Sequence, residues 1–203
     1  MLKYKIVLAG QEKVGKSSLI ARFCDNVFFD TMRSTIGVSF KRKKIQIDAN
    51  VMIEANIWDF GGEQKYRILF PAYVNGASAA LILYDTTDKK SLEDVKNWID
   101  IIDENADEKI VKVLIGAKND LIDEKTVSFE EARSLSIEMN CSGEPIETSS
   151  KTGENVEQAF LNVAKEILKR VMQKCKGCGE LFNKKLKICN YCGTSIELKV
   201  ELT

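Results

Sequence analysis

The segment Gly10-Gln11-Glu12-Lys13-Val14-Gly15-Lys16-Ser17 has residue types and a spacing that can hold a polyphosphate. It fits G-x-x-x-x-G-K-[ST], in which the glycines let successive backbone N–H groups turn inward on a phosphate. Lys16 would set a point charge against the β- and γ-phosphates, and the Ser17 hydroxyl is placed to ligate Mg²⁺. A surface turn containing two glycines would meet the same pattern, so the flanks matter. The apolar run Ile6–Ala9 precedes the loop, and Ser17–Cys24 follows as the start of a helix whose N-terminal dipole favours an anion. Glu12, Lys13, Val14 and Ser18 fall on the same turn and count among the expected nucleotide contacts.

A second cluster points to metal. Cys175-Lys-Gly-Cys178 and Cys189-Asn-Tyr-Cys192 form C-x₂-C…C-x₂-C with ten residues between the pairs. Paired knuckles of this kind hold Zn²⁺ in a tetrahedron of four thiolates, and four thiolates leave no position open for catalysis. Gly179 and Gly193 follow the second cysteine of each pair and are expected to let N–H groups turn toward the sulfurs. About 20 residues cannot bury a core, so the metal would supply the folding energy of this segment. Disulfides or free thiols are the alternative, and a cytoplasmic chain disfavours the former. Cys24 and Cys141 stand alone and read as small packing residues.

Nucleotide chemistry needs more than a phosphate loop: a second Mg²⁺ holder, a γ-phosphate sensor and a base pocket. Each has a candidate in chain order. Thr35 could complete the Mg²⁺ shell when a γ-phosphate is present. Asp59 in Trp58-Asp59-Phe60-Gly61-Gly62 would hold Mg²⁺ through water, and the Gly62 N–H can approach the γ-phosphate because no side chain intervenes. In Gly116-Ala117-Lys118-Asn119-Asp120 the Asp120 carboxylate can accept both N–H groups on the N1–N2 edge of guanine, a pair that adenine lacks. The aliphatic stem of Lys118 would cover one face of the base. Ser149-Ser150-Lys151 follows the last strand, where the Ser150 N–H would reach guanine O6.

The elements that must position these groups alternate between apolar strands and amphipathic helices, the pattern of an α/β fold with a mostly parallel sheet and helices on both faces. Strands are predicted over Lys5–Ala9, Val38–Ile47, Val51–Trp58, Ala79–Tyr84 and Ile110–Ile115. The second and third are joined by the turn Asp48-Ala49-Asn50 as an antiparallel hairpin at the sheet edge. Ser91-Leu-Glu-Asp94 and Ser128-Phe-Glu-Glu131 read as capping boxes, each opening a helix. Val156, Ala159, Phe160, Val163, Ala164, Ile167 and Val171 form a 3.6-period stripe for core packing. The stripe gives way to cysteines and lysines near Gln173. This sets a nucleotide domain over 1–173 and a Cys₄ appendage over 174–203.

Composition excludes several classes. Lys+Arg and Asp+Glu are equal at 30 each, so global charge selects no polyanionic partner. Charge is uneven locally: 85–108 holds nine acidic residues and three lysines, and 161–192 holds eight basic and two acidic residues. Both read as solvated faces. No run is long and apolar enough to span a bilayer, and no signal-peptide pattern opens the chain, so a cytoplasmic address is expected. Histidine is absent, which excludes imidazole acid–base chemistry and leaves cysteine as the ligand of any tight zinc site.

On these motifs the chain resembles the Ras superfamily of small GTPases over roughly residues 3 to 173, and the Rab branch most closely. Ser34-Thr35-Ile36-Gly37-Val38-Ser39-Phe40, the Trp58-Asp59-x-x-Gly62 motif with Lys65-Tyr66-Arg67 after it, and the stretch from Glu147 to Phe160 carry the resemblance. It implies a P-loop NTPase fold with a six-stranded, mostly parallel sheet, binding of GTP or GDP with Mg²⁺, and exchange, activating and effector proteins as partners. Phe28 matches the family aromatic that packs edge-on against guanine, although a plain core phenylalanine reads equally well. Glu63 occupies the slot of the family glutamine that orients the attacking water, with Gln64 displaced by one, and joins Lys16, Thr35 and Gly62 as a catalytic candidate. Glu12 adds a second acid near the expected γ-phosphate. Phe60-Gly61 replaces the usual Thr-Ala. Ala117 stands where the family has an asparagine tying the base loop to the phosphate loop, so guanine preference is expected to persist with reduced affinity. Arg33, just before Thr35, reads as a solvated residue rather than a hydrolytic arginine.

Two readings follow. The first is a GTP-hydrolysing switch whose turnover is slow or partner-assisted. The second is a GTP/GDP-binding scaffold with negligible turnover, targeted by its ribbon. Nucleic-acid binding through the lysine-rich ribbon ranks below both, and contact with a protein is favoured. The chain ends Val200-Glu-Leu-Thr203 without a prenylation pattern, so no direct lipid anchor is expected, and any membrane recruitment would run through partners.

Overall fold

The strands that the hydrophobic pattern predicts form one sheet, ordered β2-β3-β1-β4-β5-β6. They are β1 (Leu2–Ala9), β2 (Val38–Gln46), β3 (Met52–Phe60), β4 (Ala79–Asp85), β5 (Val111–Ala117) and β6 (Ile146–Glu147). The structure is a computed structural model that describes residues 2–31, 35, 37–61, 67–106 and 110–195. Only β2 runs antiparallel, paired with β3 from Val38↔Phe60 to Gln46↔Met52. The other pairings are parallel. Asp48 Oδ1 accepts from the N–H groups of Asn50 and Val51, which closes the hairpin turn between β2 and β3.

Every residue of β4 and β5 is buried, as a central parallel strand covered on two faces requires. Val7, Ala9, Ala80, Ile82 and Tyr84 share a core with Val95, Trp98, Ile99 and Ile102 of the helix Val95–Asn105. Phe60, Phe70 and Trp98 extend it through edge-on ring contacts at 5.1 and 5.2 Å. The alternate residues Ile6, Leu8, Leu81 and Leu83 are fully buried as well. Phe23, in the helix α1 (Lys16–Asp25), stacks on Phe160 at 3.8 Å.

Strand order reverses at β1, which lies between β3 and β4. In open α/β sheets the crevice beyond the C-terminal strand ends at such a reversal is where ligands bind. Four of the predicted motifs sit there: the loop after β1, Asp59 at the end of β3, the 118–120 loop after β5 and the 149–151 loop after β6.

One capping expectation fails. Ser128 does cap the helix Phe129–Glu138, with the reciprocal Glu131 bonds of a capping box. Ser91 caps nothing. The short helix Lys89–Glu93 starts one turn earlier, with Asp88 as its N-cap accepting from Lys90 N–H. Ser91 is buried instead, where its hydroxyl accepts from Asp85 N–H and donates to Asp88 O. Asp88, as good an N-cap residue as serine, opens the helix three residues earlier, so Ser91 falls inside it.

The chain divides into two compact units, Met1–Ala164 and Lys165–Thr203. The striped helix Val156–Val171 has Val156, Ala159, Phe160, Val163, Ala164 and Ile167 buried, and Val171 half-buried. In the second unit β7 (Met172–Lys174) pairs antiparallel with β8 (Leu181–Asn183). Among the described residues no helix is long and apolar enough to cross a membrane.

Candidate functional site

The loop after β1 is shaped by two glycines that no other residue could replace without strain. Gly10 has φ +137°, and a Cβ there would lie 2.4 Å from the backbone oxygen of Leu83. Gly15 has φ +105° and precedes α1, which begins without a side-chain cap. The first N–H groups of α1 are therefore left for an anion rather than for a capping hydroxyl.

Lys16 is only 5 % exposed and crosses the loop to donate to Gly10 O at 2.7 Å and Gln11 O at 2.6 Å. Burial lowers its pKa from 10.5 to about 8, although the Asp59 and Glu12 carboxylates pull it upward. An ammonium this poorly solvated wants an anion beside it.

Asp59 is 3 % exposed. Its Oδ2 accepts from Ser17 Oγ at 2.5 Å and from Thr35 Oγ1 at 3.2 Å, and the two hydroxyls lie 2.7 Å apart. Its Oδ1 is buried with no hydrogen-bond partner among the described residues. Burial raises the Asp59 pKa, partly offset by the Ser17 hydrogen bond and by Lys16. An orphaned carboxylate oxygen beside two hydroxyls, all hard oxygen donors, suits a small divalent cation such as Mg²⁺.

These groups open onto a cavity of about 360 Å³. Beside the loop after β1 the lining includes Glu12, Lys13, Gly15, Lys16, Ser17 and Ser18, together with Thr35. Val14 is buried, so its side chain belongs to the core and only its backbone belongs to the loop. Phe28 lines the cavity with Phe29 beside it and is half-buried, so it is not a core phenylalanine. Gly62, Glu63 and Arg33 lie outside the described residues.

Lys118, Asp120, Ser150 and Lys151 line the far end. Asp120 is aimed by Ser149, whose Oγ donates to Asp120 Oδ1 at 2.6 Å. Ser149 is itself fully buried and does not line the cavity, so it positions the carboxylate. Lys118 has φ +64°, its carbonyl accepts from Thr86 Oγ1, and its ammonium pairs with Asp85. Ala117 lies against the phosphate loop, since a Cβ on Gly15 would sit 3.4 Å from its own. An alanine there touches the loop without bonding to it.

Two contacts escape any reading of the sequence. Arg22 on α1 donates through Nε to Ser150 O at 2.6 Å and through Nη2 to Lys151 O at 2.7 Å. The Asp85–Lys118 pair similarly braces the base loop from the end of β4. Arg22 and Ser150 are 128 residues apart, and no local pattern marks the pairing.

In the second unit the four knuckle cysteines bring their sulfurs within 4.8 Å of one another. Cys175 and Cys192 are 3.6 Å apart at Sγ, and Cys178 and Cys189 are 3.7 Å apart. A zinc tetrahedron with bonds of about 2.3 Å has sulfur–sulfur edges of about 3.8 Å, so the arrangement fits that ion. Both knuckles have one geometry. Gly179 N–H donates to Cys175 O and Gly193 N–H to Cys189 O, while Cys175 N–H meets Glu180 O and Cys189 N–H meets Thr194 O. The glycines thus close the turns on carbonyls. The N–H groups that follow them, of Glu180 and Thr194, turn to the sulfurs of Cys178 and Cys192 as expected, and Gly177 N–H reaches Cys175 Sγ at 3.3 Å.

Comparison with known proteins agrees with the geometry. Residues 5–169 match the family model described as Ras family. The chain is 43 % identical over 169 residues to the Ras-related protein RABD1 of Arabidopsis thaliana, covering 83 % of this chain and 80 % of the relative. It is 40 % identical over 166 residues to the GTP-binding protein ypt2 of Schizosaccharomyces pombe, covering 82 % of each. To ypt3 of the same yeast it is 42 % identical over 177 residues, covering 87 % of this chain and 81 % of the relative. With a family match over residues 5–169 and relatives above 40 % identity across most of both chains, the chain belongs to the Ras family of small GTPases.

Proposed function

We propose that this chain is a GTP-binding, GTP-hydrolysing switch in which the cavity beyond β1 holds guanine nucleotide and the residues around it have separable roles. The observation that carries the reading is Asp59, a buried carboxylate with one oxygen orphaned and the other shared by the Ser17 and Thr35 hydroxyls, next to a buried Lys16. Ser17, Thr35 and Asp59 would hold Mg²⁺. That ion would neutralise charge developing on the transferred phosphoryl oxygens.

Lys16 leaves the carbonyls of Gly10 and Gln11 and turns its ammonium to the phosphates, while the uncapped N–H groups of α1 bind the phosphate oxygens. Asp120, fixed by Ser149, accepts from the guanine N1–N2 edge, and Lys118 covers the ring with its stem. Gly62 presents its N–H to the γ-phosphate, and Glu63 accepts from the attacking water. Glu63 and Glu12 bring negative charge to an already anionic reaction centre, so intrinsic turnover is slow and an activating partner raises it. With the γ-phosphate sensed by Thr35 and Gly62, two loops rearrange, and effectors read the 36–38 region.

The functional division falls at residues 173 and 174, and the four cysteines of the C-terminal part hold one structural Zn²⁺. The protein acts in the cytoplasm and reaches membrane surfaces through what it binds. Single-turnover hydrolysis of γ-labelled GTP tests the enzymatic reading. Wild type is expected to release phosphate with Lys16→Ala slower by about 100-fold or more, and Glu63→Gln to be faster than wild type. Equal release by wild type and Lys16→Ala would overturn it.

A further inference from the structure

The loop after β1 holds a residue whose backbone conformation its side chain does not favour. Among the described residues, those other than glycine with φ in the left-handed region are Lys13, Asn26, Lys118, Asn140 and Asn155. The three asparagines stand beside helix ends, and asparagine tolerates this conformation. Lysine has no such tolerance, yet Lys13 at φ +64° and Lys118 at φ +64° both line the nucleotide cavity. Backbone strain of this kind gathers at functional sites. Lys118 has its place in the base loop, with its ammonium paired to Asp85. Lys13 is left to be explained.

A glycine at position 13 would give the loop the same backbone without strain, so what the lysine adds is its side chain. Lys13 is exposed, and its ammonium has no hydrogen bond or ion pair among the described residues. Lys16, three residues on, is the opposite case, buried and held by Gly10 O and Gln11 O. Both lie on one stretch of cavity lining with Ser17 and Thr35. A lysine carries a compact charge on a flexible four-carbon stem, so an unpaired ammonium on this wall can follow a phosphate bound beside it.

We propose that Lys13 is a catalytic residue that supplies, from within the chain, positive charge to the γ-phosphoryl oxygens during GTP hydrolysis. The inference rests on the hydrolytic reading given above. In that reaction water forms a bond to the γ-phosphorus, the bond to the β–γ bridging oxygen breaks, and its electron pair leaves with GDP. Lys13 exchanges no proton and acts through its charge alone, the part that an arginine plays when supplied in cis or by an activating protein. It offsets the acids Glu12 and Glu63. A hydrated, mobile ammonium gains little from GDP, which has no γ-phosphate, so its effect falls on the chemical step.

Single-turnover release of phosphate by the full, GTP-loaded chain with Mg²⁺ tests this. Lys13→Gly keeps the backbone and removes the strain, Lys13→Met keeps the stem, and Lys13→Arg keeps the charge. The glycine and methionine variants should hydrolyse about tenfold more slowly or worse, and the arginine variant within about threefold of wild type. GDP affinity should stay within about threefold in all three. Aluminium fluoride beside bound GDP mimics the transferring phosphoryl group. Wild type should capture it without any added protein, read by fluorine NMR, and the glycine and methionine variants about tenfold more weakly. Wild-type hydrolysis and fluoride capture by the glycine and methionine variants would overturn the inference and leave the hydrolytic reading standing. A loss of GDP affinity as large as the loss of rate would overturn it too, making Lys13 a binding residue only. Release by wild type no faster than by Lys16→Ala would overturn the hydrolytic reading, and this inference with it.

Discussion

Lys16 gives the sharpest test of how the cavity lining stores free energy for a ligand. Its ammonium is buried and its pKa falls from 10.5 to about 8, because lost solvation outweighs the attraction of Asp59 and Glu12. Below pH 8 both the folded and the unfolded chain carry the proton, and the fold bears the whole cost of the buried charge, about 3 kcal/mol. Between pH 8 and 10.5 the unfolded chain holds the proton more tightly than the folded one, so nucleotide-free protein should gain stability as pH rises. Other titrations act in that window too, and comparison with Lys16→Met cancels them. The assay is urea unfolding of nucleotide-stripped protein from pH 7 to 10.5. Fluorescence of Trp58 and Trp98 reports it, both in the nucleotide-binding unit. Stability of wild type relative to Lys16→Met should climb by up to about 3 kcal/mol across the window. A difference that stays flat would show that Lys16 is not a desolvated cation. The inference that a phosphate relieves its burial would then fail.

Three further outcomes follow from particular contacts. Arg22→Ala removes two charge-assisted bonds to the carbonyls of the 150–151 loop and should speed GDP release by about tenfold, read by loss of a fluorescent analogue. Asp59→Asn should abolish the effect of chelating Mg²⁺ on that release rate, since the carboxylate with the orphaned oxygen is gone; an undiminished effect would place the cation elsewhere. Phe160→Ala removes the buried ring stacked on Phe23 and should cost about 3–5 kcal/mol in urea unfolding, with guanine preference intact.

Much of this fold is legible in the sequence because its strands are short apolar runs whose burial on two faces leaves no alternative pattern. β4 and β5 come within two residues of the predicted ends. The hairpin is legible because Asp48 and Asn50 are turn formers for a local reason, the side-chain oxygen that receives the N–H groups. The loop at 10–17 and Asp120 are legible as well, since each follows a strand within a few residues, and Asp59 is legible at the end of β3. What stays hidden is long-range or competitive. Ser91 fits a capping pattern as well as Ser128 does, but Asp88 starts the helix ahead of it and leaves Ser91 inside. Arg22 looks like an ordinary last-turn arginine until the 150–151 loop arrives beside it. Ser149 passes for a base contact, whereas the fold buries it and turns it into the support of Asp120. The knuckle glycines are legible too, since φ near +79° and +74° turns the next N–H, of Glu180 or Thr194, onto a cysteine sulfur.

The central claim, that the cavity beyond β1 is built for guanine nucleotide, is tested most directly by equilibrium binding of GDP and ADP to the stripped protein with Mg²⁺. GDP should bind at least about 100-fold more tightly than ADP, and Asp120→Ala should erase most of that ratio, because it removes the acceptor for the two guanine donors that adenine lacks. Equal affinities for the two nucleotides, or a preference unaffected by Asp120→Ala, would contradict the account.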